Sequence, residues 1–377
     1  MKVTVLQENL ARGLNTVLRA VSSRSTLPVL SNILIATDEG RLRLSATNLE
    51  LGITCWIPAR IDENGSTTVP SRTFSDLVNT LPGDQVQLAL EVKTQNLHVK
   101  SGSSNNDIKC IDAQEFPPMP TPEMKDAVQL NVADFKEMIQ QVVFASSTDE
   151  ARPVLMGVLM NVEKDKVTMA AADGFRLSVR KGQLAHAVKD TLNIIIPSRA
   201  LNELARVAHD PEEPIYMVVP KQRGQVLFRV KDVEVVSQLI EGTFPDYHQI
   251  IPRNYKSRTL VATAALLKAC KQAELFAREG SNVARLDIKQ SNGDMQPSEV
   301  EISATSEETG KNETIVEATV DGSGVLIAFN VKFLREALEV IKTPNVALET
   351  TAQNAPGVIR PVGDDNFLHV IMPMHLG

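Results

Sequence analysis

Aromatic side chains make up only 4% of this 377-residue chain, with a single tryptophan and three tyrosines. Its cores must therefore be built from Leu, Val, Ile and Ala. Cysteine is scarce as well: Cys55, Cys110 and Cys270 are odd in number, far apart and form no Cys-x-x-Cys pair. That excludes a disulfide framework and a zinc site. The six histidines are equally scattered, so no metal and no cofactor is expected. No apolar run approaches the roughly 18 residues a membrane span requires, and the opening Met-Lys-Val-Thr-Val-Leu-Gln-Glu-Asn turns polar too soon for a secretory signal. A cytoplasmic location without a membrane partner is expected. The chain also lacks a Gly-x-x-x-x-Gly-Lys-Ser/Thr loop, a Gly-x-Gly-x-x-Gly, a Gly-x-Ser-x-Gly elbow and a His-Glu-x-x-His, which removes the enzyme classes those motifs mark.

What is present is repetition. Leu-Ser-Ala-Thr-Asn-Leu-Glu-Leu around Ala46 returns around Ala171, and Pro28-Val29-Leu30 returns as Pro153-Val154-Leu155, both 125 residues on. Val69-Pro70-Ser71-Arg72 returns as Ile196-Pro197-Ser198-Arg199, and Phe116-Pro117 as Phe244-Pro245. A fainter third copy matches Ala304-Thr305-Ser306 to Ala46-Thr47-Asn48 and puts Phe329-Asn330-Val331-Lys332 in the place of Val69 to Arg72. A period this long suits three domains better than a solenoid, whose units run to roughly 20–50 residues. The proline-rich stretch from Phe116 to Pro122 and the polar stretch between Pro245 and Arg258 read as linkers. Domains are accordingly expected at 1–124, 125–254 and 255–377.

Each copy reads as two helices among short strands. Helices are expected over 7–21, 71–81, 132–144, 198–208, 263–278 and 331–342, with Ser71, Ser198 and Asn330 as N-caps. Strands are expected over 41–44, 85–90, 166–169, 226–230, 233–239 and 367–372, which alternate or run apolar. The fold class is α+β, with antiparallel sheet and the helices segregated to one face. Asp321-Gly322-Ser323-Gly324 reads as a hairpin turn, and Asp173-Gly174-Phe175-Arg176 as a turn in which Asp173 bonds the backbone.

Net charge is −7, at first sight unsuited to nucleic acid. The charge is unevenly distributed. The six expected helices hold twelve cationic residues against eight acidic ones. Arg72, Arg199 and Lys332 recur at one position, each four residues before an acid, namely Asp76, Glu203 and Glu336. Helices sharing a surface would give a weakly basic lining on an acidic body, which attracts a phosphate backbone without reading bases.

These residues resemble the bacterial beta sliding clamp family along the whole length. The resemblance rests on Thr26-Leu27-Pro28, Val69-Pro70 with Arg72, Asp173-Gly174 with Arg176-Leu177, Phe244-Pro245-Asp246-Tyr247, Phe329-Asn330-Val331 and Val370-Ile371-Met372-Pro373-Met374. It implies three repeated domains of the DNA-clamp type, each with two helices packed on antiparallel sheet. Two copies would form a ring with the helices inside, around duplex DNA of any sequence. Its partners would be the replicative DNA polymerase catalytic subunit, the clamp loader, and other polymerases and repair proteins. No catalysis is implied.

Carried over by position, DNA contacts fall on Arg24 and Arg72, to which the repeat pattern adds Arg199 and Lys332. A client-peptide pocket would comprise Leu155, Ala172, Gly174, Phe175, Arg176, Leu177, Pro245, Ile250, Asn330, Phe333, Val370, Met372, Pro373 and Met374. The homodimer contact falls on Leu275 and Phe276 against Ile108. The family often has histidine at 175 and arginine at 375, where this chain has Phe175 and His375. An aromatic pair of the family falls on Pro153 and Val154. The competing readings are a cytosolic repeat scaffold, or an enzyme with a site near Asp173 and Arg176.

Overall fold

The computed structural model describes residues 1–22, 27–121, 123–124, 127–220, 224–279, 281–290 and 298–375. The first repeat runs β1 (Lys2–Leu6), α1 (Gln7–Val17), β2 (Asn32–Asp38), β3 (Arg41–Thr47), β4 (Leu51–Pro58), β5 (Arg60–Glu63), β6 (Ser66–Pro70), α2 (Ser71–Thr80), β7 (Gln85–Glu91), β8 (Asn96–Ser101) and β9 (Ser104–Lys109). The second runs β10 (Val128–Leu130), α3 (Val132–Val142), β11 (Gly157–Glu163), β12 (Lys166–Ala172), β13 (Arg176–Gln183), β14 (Leu192–Pro197), α4 (Ser198–Val207), β15 (Ile215–Val218), β16 (Gln225–Val230) and β17 (Val233–Gln238). The third runs β18 (Ser257–Ala262), α5 (Thr263–Ala277), β19 (Val283–Lys289), β20 (Glu299–Ser306), β21 (Gly310–Gly322), β22 (Val325–Asn330), α6 (Val331–Glu339), β23 (Asn345–Thr350), β24 (Gly357–Pro361) and β25 (Phe367–Ile371).

Side-chain alternation explains these elements. On β3, Leu42, Leu44 and Ala46 are buried while Arg41 and Arg43 between them stay half-exposed, the period-two pattern of a strand with one face on a core. On α2, Phe74 and Val78 are buried one turn apart, and α6 buries Val331, Leu334 and Leu338. These are the stripes of helices that dock by one side. Helix α5 lays Ala269, Cys270, Ala273 and Ala277 against its sheet, small residues that allow close approach. Burial, and then the charge of Glu274, pushes the Cys270 thiol up to about 12, so it acts as a small apolar residue.

The chain divides into two compact units, residues 1–133 with 199–239, and residues 134–198 with 240–377. The division follows the sheets rather than the repeats. The first unit holds a five-stranded sheet, β5-β1-β7-β8-β9, and an eight-stranded one, β10-β15-β16-β17-β4-β3-β2-β6. The second holds a twelve-stranded sheet, β14-β11-β12-β13-β25-β24-β23-β18-β21-β20-β19-β22. The last strand of the second repeat, β17, pairs antiparallel with β4 of the first. In the same way β25, the last strand of the third, pairs with β13 of the second.

Some expectations change. Helices α1 and α3 end at Val17 and Val142 and tighten into 3-10 turns over 18–20 and 143–145, as helix ends do where carbonyls run out of partners. Asn330 does cap α6, its side chain accepting from the Lys332 amide at 3.1 Å. Ser71 and Ser198 are not N-caps. Ser71 already lies within α2, behind Pro70, and no side-chain cap bond forms there. The Ser198 hydroxyl donates to the Met156 carbonyl at 2.7 Å and is thereby engaged elsewhere. The turn at 321–324 joins no hairpin: β21 pairs with β20 and β18, and β22 with β19. Its glycines answer close approach instead, since a Cβ on Gly322 would lie 2.0 Å from the Lys256 carbonyl oxygen.

Candidate functional site

The turn between β12 and β13 sets the geometry. Asp173 Oδ1 accepts from the amides of Phe175 (2.9 Å) and Arg176 (3.0 Å), the local bond expected for an aspartate turn. Gly174 has φ +94, and a Cβ there would also come within 3.0 Å of Arg152 Nη1. This turn sends neighbouring side chains opposite ways. Phe175 stands 58% exposed, while the Arg176 side chain is only 8% exposed.

Arg176 is engaged through all three of its side-chain nitrogens. Its Nε donates to Asp173 Oδ2 at 3.0 Å, Nη1 to Glu336 Oε2 at 2.5 Å, and Nη2 to the Phe144 carbonyl at 2.6 Å. The guanidinium lies 4.1 Å from the Phe333 ring centroid and 5.4 Å from that of Phe144, a cation–π arrangement. Two carboxylates and two rings thus compensate one buried cation. Both Asp173 oxygens are occupied, which leaves this pair structural work rather than proton transfer.

The carboxyl-terminal segment lies beside this turn. Strand β25 pairs with β13, setting Ile371 opposite Arg176 and Val370 opposite Leu177. Beyond it, the Met372 amide donates to the Phe175 carbonyl and the Met374 amide to the Ala328 carbonyl, both at 2.8 Å. The tail is therefore stitched between the turn and β22. Beneath, Ala172, Leu177 and Val370 are buried in one cluster with Phe244 and Tyr247, and Leu155 and Val154 pack against it. Ile250 (40% exposed) and Pro245 lie on the segment carrying Tyr247, and Met372 is 39% exposed.

The expected pocket residues thus fall on contiguous segments: an apolar floor, an exposed rim of Phe175, Ile250 and Met372, and Arg176 with Phe333 behind. Pro373 and Met374 are half-buried in the stitched tail. Asn330 lies next to α6, but its oxygen is taken by the Lys332 amide. Pro153 and Val154 form a 3-10 turn, with Val154 in the floor, and His375 is exposed.

Sequence reasoning missed His369. It is fully buried, its ring centroid 5.3 Å from that of Phe144, and its Nδ1 lies 2.6 Å from Ser178 Oγ. Nε2 has no hydrogen-bond partner among the described residues. Burial, and secondarily the Arg176 charge, pushes its pKa down to about 3, so the ring is neutral. Strand alternation puts His369 on the same side as Phe367 and Ile371, and that signal could have found it.

The expected DNA residues are surface residues. Arg72 is exposed on α2 and makes no ion pair among the described residues. Arg199 is exposed on α4 and donates to the Arg19 carbonyl at 3.0 Å, while Lys332 stands 4.0 Å from Glu336. Arg24 lies outside the described residues. A basic groove that the sequence reading did not single out lies between α5 and α6. Lys268, Lys271, Arg278 and Arg335 line about 470 Å³ there, with Glu274 and Glu339 among them. Leu275, 58% exposed, borders this groove. Phe276 is half-buried against the α5 core.

Two strands keep an open edge. Among the described residues β9, which carries the buried Ile108, has β8 as its only strand partner, and residues 310–317 of β21 have only β20. Ile315, 57% exposed, sits on the latter. No described helix is long and apolar enough to cross a membrane.

Three family models match in succession: the DNA polymerase III beta subunit N-terminal domain over residues 1–120, its central domain over 129–246 and its C-terminal domain over 248–375. The chain is 36% identical over 383 residues to the beta sliding clamp of Staphylococcus aureus, covering 99% of each. A crystal structure of the DNA polymerase sliding clamp from Bacillus subtilis is similar, at 31% identity with 100% of both chains covered and a TM-score of 0.93. A sliding clamp (DNA polymerase III subunit beta) from Pseudomonas aeruginosa bound to griselimycin is similar too. Its identity is 26%, its TM-score 0.91, and 100% of both chains is covered.

Proposed function

Because this chain belongs to the DNA polymerase III beta subunit family and its function is accordingly that of a DNA sliding clamp, we propose that two copies join head to tail into a closed ring around duplex DNA. One observation carries the ring. Within the chain, the last strand of a repeat twice docks on the fourth-strand position of the repeat before it, β17 on β4 and β25 on β13. The same rule leaves one donor strand unused, β9, and one acceptor unused, the first half of β21. A chain with both ends of a repeating junction free closes most simply on a second copy.

A ring holds DNA by topology, so the contacts inside can be weak and blind to sequence. Arg24, Arg72, Arg199 and Lys332, with the α5–α6 groove, are the cations we assign to the phosphate backbone. The three domains of this clamp fold are assigned to 1–124, 125–254 and 255–377. The apolar floor under Phe175 and Met372 is assigned to short client peptides, each buried apolar anchor contributing about 1.5–3 kcal/mol. The replicative polymerase catalytic subunit, the clamp loader, and other polymerases and repair proteins would share it. Tethering a polymerase raises the effective concentration of primer end, to about millimolar for a short flexible link. No catalytic step is needed, and the site of action is the cytoplasm.

The test is retention on DNA. Loaded protein should stay on a closed circular plasmid through gel filtration and be lost once the plasmid is cut at one site. Equal loss from circle and line would remove the ring.

A further inference from the structure

One cross-strand row leads from the apolar floor of the peptide pocket to a second, charged cleft. Leu177 of β13 lies opposite Val370 of β25, Val370 opposite Val358 of β24, Val358 opposite Glu349 of β23, and Glu349 opposite Arg258 of β18. Their neighbours Leu348 and Ile359 belong to the other face, in the core that holds α5 and α6. Leu177, Val370 and Val358 are all part of the floor cluster. Val358 also lines a cleft of about 180 Å³, together with residues 252–255, Glu349, Thr351 and Arg360. From this shared wall we infer that the cleft takes an acidic side chain of a client peptide whose apolar anchor lies on the floor. The inference rests on the peptide pocket proposed above and deepens it with a second contact of definite charge.

The electrostatics fit an incoming carboxylate. Glu349 is the only acid lining the cleft, and its side chain, 12% exposed, already has two cationic partners. Arg360 Nε donates to its Oε2 at 3.0 Å, and Arg258 Nε stands 3.6 Å from its Oε1. Arg258 Nε is itself buried with no hydrogen-bond partner among the described residues. Arg253 adds a third guanidinium, exposed and without an ion pair among the described residues. Asp321, opposite Arg258 on β21, is exposed and pairs with none of the three among the described residues. The cleft therefore keeps a surplus of positive charge. Arg360 spends Nε on Glu349, and its Nη groups form no hydrogen bond among the described residues. A guanidinium presents its N–H groups as a fork matched to a carboxylate.

The walls are tied in place. Thr351 Oγ1 donates to the Asn254 carbonyl at 3.1 Å, and the Lys256 amide to the Thr350 carbonyl at 2.9 Å. The segment carrying Arg253 and Tyr255 is thereby fastened to the end of β23. Size selects the occupant. Sites for whole small molecules hold about 300–1,000 Å³, so this cleft suits one side chain and is too small for a nucleotide. Spacing follows from the row. Neighbouring strands lie about 4.8 Å apart, which puts Glu349 roughly 10 Å from Val370 and roughly 14 Å from Leu177. An extended peptide rises about 3.3 Å per residue, so the acid belongs about three or four positions from the anchor.

The experiment is calorimetry on the full chain with peptides that share one Leu-Phe anchor and carry Asp or Asn three or four residues to either side. At one of those positions the Asp peptide should bind about fivefold or more tightly than its Asn twin at low salt, and the ratio should shrink at high salt. Arg253→Gln should bring the ratio towards one, and Glu349→Gln should raise it by removing the competing acid. Equal affinity for Asp and Asn at every position, or a preference unmoved by Arg253→Gln, would overturn the charged contact and leave the apolar pocket standing. Inorganic phosphate that binds alone as tightly as the Asp peptide would make the cleft a free-anion site and overturn the contact as well. Peptides that fail to bind with either residue would overturn the pocket and this contact together.

Discussion

Arg176 and Glu336 lie 160 residues apart in sequence, yet Nη1 of one donates to Oε2 of the other at 2.5 Å. This contact fastens the β12–β13 turn to α6. Glu336 is also 3.6 Å from Arg335, which in turn bonds Glu274 at 2.6 Å and Glu339 at 2.8 Å. The β12–β13 turn and the basic groove of α5 and α6 thus share one chain of charges.

Removing one member of a buried pair leaves the other with fewer compensating partners. Glu336→Ala leaves Arg176 with Asp173 as its remaining carboxylate and should cost about 1–3 kcal/mol of stability, and Arg176→Met with Glu336→Leu together should cost less than the sum of the two single changes. Urea unfolding of the parent, both single variants and the double checks it. A double change that costs the sum of the two single ones would mean that the pair is not coupled.

His369 gives the protein an acid sensitivity of definite sign. Its folded pKa, about 3, lies below the unfolded value of roughly 6.5. Between those values the unfolded chain binds the extra proton, so stability falls as pH drops through that window. From pH 6.5 to 5 the loss is about 2 kcal/mol. Unfolding midpoints across that interval should flatten in His369→Gln relative to the parent, and parallel slopes would refute the assignment.

The carboxyl-terminal residues 372–377 separate binding from folding. Met372 and Met374 follow β25 and are held through their amides, so deleting the segment should leave the sheet intact. Client-peptide affinity measured by calorimetry should fall at least about tenfold, the worth of one apolar anchor. Phe175→Ala should weaken binding in the same direction without lowering the melting temperature, because the ring is 58% exposed.

Much of this was legible along the chain because it is local or periodic. Strand alternation, the helical stripes, the Asp173 turn and the repeats all depend on neighbours in sequence. What escaped is non-local. Nothing near Arg176 announces Glu336, and nothing in β17 or β25 announces that each completes the sheet of another repeat. The Asp321–Gly324 turn misled for the same reason, since a glycine that avoids the Lys256 carbonyl looks in sequence like one that closes a hairpin. Ile315 was passed over because an exposed isoleucine on an alternating strand is ordinary until its edge is found unpaired.

Leu275 offers the cleanest test of self-association away from the strand register. At 58% exposure it contributes little to the fold of a single copy, unlike the half-buried Phe276, so Leu275→Lys should leave the melting temperature of the monomer unchanged. In the dimer a lysine at this position would lose its water, and burying an unpaired charge is costly. Sedimentation should therefore find monomers where the parent protein is dimeric. Retention on circular plasmid should vanish with the dimer, while the client peptide, whose floor lies elsewhere in the chain, should bind with unchanged affinity. A Leu275→Lys protein that remains dimeric would exclude this end of α5 from the interface.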